Sequence, residues 1–139
     1  MYIRMGITAG VIVSLLGSVI VGFNPYLPFI FIFSYTVIPS ALIFALVSYL
    51  IKPNLSKFKY WLIGLITLFG VGLFSFFIHN YLDYRAIRSQ PGEVLNWDAI
   101  ILFNILYSLG VALLFSPLSY FVLKEIAIRK EKSTEDNRT

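Results

Sequence analysis

The sequence predicts an all-α protein: an integral membrane four-helix bundle, N-in/C-in, with kinked second and fourth helices. Three observations point there. Only 13% of the 139 residues are charged while 58% are hydrophobic, against roughly 25% charged in a soluble domain whose surface faces water. Four apolar runs are each about as long as the ~20 residues that cross a hydrocarbon core. The cations lie in the breaks between the runs and at the two ends. One domain is the natural count for this length.

The first run covers about residues 5–23 behind Arg4. A cation followed by an apolar stretch resembles a signal peptide, but the run exceeds the ~7–15 residues of a signal core and no small-x-small cleavage site follows. It reads as a retained helix, closed by a turn at Asn24, Pro25 and Pro28. The second run, 29–51, stops at Lys52-Pro53-Asn54. The third, 60–80, continues toward Tyr84 as a wetter helix, and Gln90-Pro91-Gly92-Glu93 bends the connection after it. The fourth, 98–123, is capped by Asp98 or by Asn96 before it. The transmembrane domain is therefore placed at 1–128. Residues 129–139 are expected to form a charged cytoplasmic tail, frayed or disordered because they show no apolar face. The runs are continuous rather than alternating, which favours helices over strands.

Orientation follows from Lys and Arg alone. Nine fall at the N-terminus, in the second loop and in the tail, and two, Arg85 and Arg88, in the third loop. Cations resist translocation, so the nine are expected inside, with both termini cytoplasmic in a cell membrane. The formal charge of +4 thus reports membrane topology; nucleic-acid binding would need a cationic stripe on one face. The absence of cysteine removes disulfides, thiolate metal sites and dithiol redox chemistry.

Small residues recur at every fourth position in the first run: Gly6, Gly10, Ser14, Ser18 and Gly22. That spacing lines one helix face and lets another backbone approach closely. Ser108, Ala112 and Ser116 repeat it in the fourth run. Both stripes are helix-packing candidates, within the bundle or as a dimer seam. Pro39 and Pro117 stand inside runs two and four, beside Ser40 and Ser116; each proline removes a helix hydrogen bond, and a nearby serine can satisfy the freed carbonyl. Run two ends in Ser48-Tyr49 before Lys52, and run four in Ser119-Tyr120 before Lys124. This is a faint internal likeness between two hairpins that would enter from the same side.

No Asp, Glu, Lys, Arg or His stands in the middle of any run. Such groups mark proton relays, ion paths and substrate counter-ions. The small four-helix multidrug exporters need a glutamate in their first helix, which this chain lacks. Asn104 is the strongest intramembrane polar group and is expected to bond to a neighbouring helix. His79 and Asp83 share a helical face, but a metal site needs three or four ligands and the chain has one histidine. No nucleophile motif is present. The expected catalytic, cofactor-binding and metal residues are none.

In its four spans, Phe/Ile/Tyr/Lys-rich usage, Asn24-Pro25 turn and Lys-flanked second loop, the chain resembles uncharacterised small four-span membrane proteins of low-GC Gram-positive bacteria. The resemblance implies a layout and no site residues. Beyond the lipid bilayer, the expected partner is another membrane protein or a second copy in a homo-oligomer. The reading is a non-catalytic accessory or partner-binding protein, like an immunity factor or regulator, rather than an enzyme. The alternatives are a small oligomeric transporter or channel subunit, built along the Gly6–Gly22 stripe, and a holin-like permeabiliser.

Overall fold

A computed structural model of the chain describes residues 2–21, 29–87 and 96–136. The turn at Gly22–Pro28, the bend at Gln90–Glu93 and the last three residues lie outside the described residues, as do the side chains of Asp83 and Arg85. Among the described residues there are four helices and no strand: α1 (Tyr2–Val21), α2 (Phe29–Leu50), α3 (Lys57–Ile87) and α4 (Trp97–Asp136). Three are long and apolar enough to cross a membrane: α1 over Tyr2–Val19, α3 over Lys57–Tyr81, and α4. At 1.5 Å per residue, the 31 residues of α3 run about 46 Å and the 40 residues of α4 about 60 Å, so both outreach a hydrocarbon core of about 30 Å.

Local chemistry sets the helix starts. Asn96 Oδ1 accepts from the Ala99 backbone N–H at 3.3 Å, so Asn96 caps α4 and Asp98 lies in its first turn, where a carboxylate meets the positive end of the helix dipole. Ser56 Oγ accepts from Lys59 N–H at 3.4 Å and opens α3 in the same way. Between α2 and α3 the chain reverses through Asn54 at φ 61°, a left-handed conformation that Asn tolerates better than most residues.

The helices associate as two antiparallel hairpins, α1–α2 and α3–α4, each closely packed along its length. The same device builds both. In the first, a β-carbon at Gly10 would stand 2.6 Å from the Ser40 carbonyl oxygen, and one at Gly6 would run into Ser48. Ser40 Oγ donates to the Gly10 carbonyl at 2.7 Å, and Ser14 and Thr36 share a hydrogen bond of 2.7 Å. In the second hairpin, Gly64 meets Ser119 and Gly72 meets Ser108. Asn80 Nδ2 donates to Asn104 Oδ1 at 2.9 Å, and Trp61 Nε1 donates to Ser116 Oγ at 3.0 Å. Lipid tails are as apolar as leucine, so helices in a bilayer associate through such close backbone approach and interhelical hydrogen bonds. The serines of the two Ser-Tyr ends, Ser48 and Ser119, occupy matching places, each against a glycine near the start of the hairpin's first helix.

Both prolines lie inside helices, Pro39 in α2 and Pro117 in α4. Pro117 leaves the Leu113 carbonyl without its usual N–H partner. Ser116 Oγ, which accepts the hydrogen bond from Trp61 Nε1–H, donates its own hydroxyl hydrogen bond to that carbonyl at 2.8 Å. One hydroxyl thus repairs the gap and ties α3 to α4.

The end of α4 departs from the sequence expectation. The helix continues past Leu123 through residues expected to be a frayed tail and runs to Asp136. Leu123, Ile126 and Ala127 are fully buried beside Ile51 and Tyr60. Lys130 Nζ donates to the carbonyls of Tyr49 and of Ile51, the latter at 2.9 Å, and stands over the Tyr2 and Tyr49 rings. A cation at the negative end of α2 satisfies two of its orphan carbonyls. Asn54 Nδ2 donates to Glu131 Oε1 at 2.9 Å. The extra turns are helical because they cover the α2–α3 connection, a role that composition alone does not reveal.

Candidate functional site

The two hairpins meet unequally. Along their middle they touch through apolar side chains, with Phe44 of α2 packed in one cluster with Leu68 and Val71 of α3. The cross-hairpin polar contacts cluster at the end that carries Lys52, Lys57 and Lys130, hereafter the basic end. Tyr60 Oη donates to the Lys52 carbonyl at 3.2 Å, beside the Lys130 and Asn54–Glu131 bonds. On the opposite flank α1 and α4 approach only sparsely, and the backbones of α1 and α3 do not come close among the described residues.

This arrangement leaves a groove of about 770 Å³ between α1 and α4, floored by α3 and α2. Its α4 wall runs from Glu125 at the basic end to Tyr107 at the far end, about 27 Å along the helix. Ile12 and Leu16 of α1 face Val111, Phe115 and Leu118 of α4 across it. Gly17 widens it: a β-carbon there would have nothing within 4 Å. Phe76 and Tyr107 meet edge to face at 4.8 Å, next to His79, and bound the far end.

The lining is apolar almost throughout. Ser14, Ser18 and Thr36 reach it but bond among themselves. Ser75 Oγ is shut from solvent without a hydrogen-bond partner. Charge appears at the basic mouth, where Arg4 and Glu125 line the rim. Glu125 is paired with Arg129 at 2.9 Å. Arg4 is exposed and makes no ion pair among the described residues. Such a trough can hold an apolar body and offer a cation to a polar group at one end.

A scan against protein families finds no match, and comparisons with curated proteins and with solved structures find no similar chain.

Of the stripe residues, Ser14 and Ser18 alone touch the groove among the described residues. Gly6, Gly10, Ser14 and Ser18 face α2, while Gly22 lies outside the described residues. Ser108 packs on Gly72, Ala112 is buried with Leu68 and Val71, and Ser116 bonds to Trp61. Asn104 pairs with Asn80, which also donates to the Phe76 carbonyl at 2.8 Å. Sequence reasoning passed over the groove residues Arg4, Thr8, Gly17 and Ser75. Gly17 carried a signal of a kind: it is a small residue standing off the four-residue stripe. The others carried none, because a groove is a relation between helices far apart in the chain.

Proposed function

We propose that this protein is a non-catalytic, multi-pass membrane protein that works by binding, and that the α1–α4 groove is where it binds. All four helices span the bilayer, α2 and α4 bending at Pro39 and Pro117, with the basic end and both termini in the cytoplasm. The positive-inside distribution of Lys and Arg supports this orientation.

The observation that carries the binding reading is the groove itself: a long trough with an apolar lining, left open on one flank of an otherwise close-packed pair of hairpins. Binding sites are concave and mostly apolar, with few placed polar groups, and about 300–1,000 Å³ in volume. An aqueous permeation path would need polar or charged side chains along its length, and here charge is confined to the mouth. An oligomeric pore along the α1 stripe is less well supported, since four of its residues are engaged with α2.

Site-specific photocrosslinking in membranes tests the reading. A photoreactive side chain at Ile12 or Val111 in the groove should trap a discrete adduct. One at the exposed Leu114 or Leu42, outside it, should give only diffuse labelling. The same pattern from all four positions would remove the groove as a binding site.

A further inference from the structure

Resting on that reading, we infer that the basic half of the groove holds the acyl chains of an anionic phospholipid, with Arg4 at the rim receiving its phosphate. Size comes first. Hydrocarbon chains are thin enough to enter, and the open flank admits them sideways from the bilayer. The hydrocarbon core is about 30 Å thick and one leaflet about half of that, so the stretch from Arg4 to Leu16 matches the depth of one leaflet.

Charge comes second. Arg4 is exposed at the groove's basic rim, where a lipid in that leaflet places its headgroup. Lys130 is spent on the α2 carbonyls, and Arg129 is tied to Glu125. Arg4 is left with its fork of donors uncommitted among the described residues, and a guanidinium matches phosphate bidentately. Thr8, which donates to the Arg4 carbonyl at 2.9 Å, lines the groove one turn further in.

The test is native mass spectrometry of the full chain released from nanodiscs of equimolar phosphatidylglycerol and phosphatidylcholine with identical chains. The wild type should retain phosphatidylglycerol preferentially. Arg4→Gln should lower that preference about fivefold, the value of one cation near a membrane surface. Arg4→Lys should restore part of it, and Lys132→Gln, in the exposed last turns of α4, should leave it unchanged. Thr8→Trp, which fills the groove from an exposed position, should lose both lipids while the protein keeps its melting temperature. Equal retention of the two lipids, an Arg4→Gln variant that keeps the preference, or a co-purifying polypeptide or second copy would overturn the lipid assignment. A groove-specific crosslink alongside any of these would leave the binding reading standing. Without such a crosslink, both fall.

Discussion

Gly10 and Gly17 occupy the same helix seven residues apart and answer to different constraints. At Gly10 the α2 backbone lies against the α-carbon, and any side chain must push the helices apart. At Gly17 the space is open. Gly10→Ala should therefore destabilise the protein by about 1–3 kcal/mol, as over-packing does. Gly17→Ala should be neutral or stabilising by about 0.5–1 kcal/mol, since Ala is the better helix former. Thermal unfolding in a mild detergent separates the two, and equal effects would contradict the assigned faces. The four-residue period was legible for Gly6, Gly10, Ser14 and Ser18. Which helix would meet them was not, because a period gives a face and no partner. Asn104 is similar: its need for a hydrogen bond could be read from its place in an apolar run, but Asn80, at the edge of the third, did not stand out as the donor.

Among the elements, α4 departs most from its sequence description. The run ends for hydropathy at Lys124, yet Leu123, Ile126, Ala127 and Lys130 stand at the i, i+3, i+4, i+7 spacing of one helical face. That signal was present in the sequence, masked by the charges around it. Ile126 is fully buried, so Ile126→Ala should cost about 2–5 kcal/mol. Lys130→Met, which keeps the apolar stem and loses two charge-assisted hydrogen bonds, should cost about 1–3 kcal/mol. Denaturation monitored by circular dichroism reads both, and a frayed tail would make both substitutions silent. The starts of α3 and α4 were easier to read, because Ser56 and Asn96 cap through contacts only three residues away.

For the whole molecule, the decisive property is that two closely zipped hairpins, packed on each other through Phe44, Leu68 and Val71, are hydrogen-bonded to each other at one end. Among the described residues, hydrogen bonds hold each hairpin together along its span, while the cross-hairpin ones gather at the basic end and the α1–α4 flank is left open. Orientation decides which leaflet faces the Arg4 mouth. The chain has no cysteine, so single cysteines report it cleanly. With an impermeant thiol reagent on intact cells, cysteines at Ser56 and Ser133 should stay unlabelled and one at Asn96 should react. Labelling of Ser56 from outside would invert the orientation.

The helical class, the long apolar runs and the gathering of most cations at one end of the bundle were determined by the chain alone. They depend on composition, on run length and on neighbours within a few residues, all of them local quantities. Which faces meet, that Lys130 closes α2 rather than hanging in water, and that α1 and α4 stand apart over a groove were decided only by the tertiary structure. Each joins residues on different helices, from 22 positions apart for Ser14 and Thr36 to 81 for Tyr49 and Lys130, and in lipid such pairings are selected by shape and hydrogen bonding, with no hydrophobic pattern to announce them.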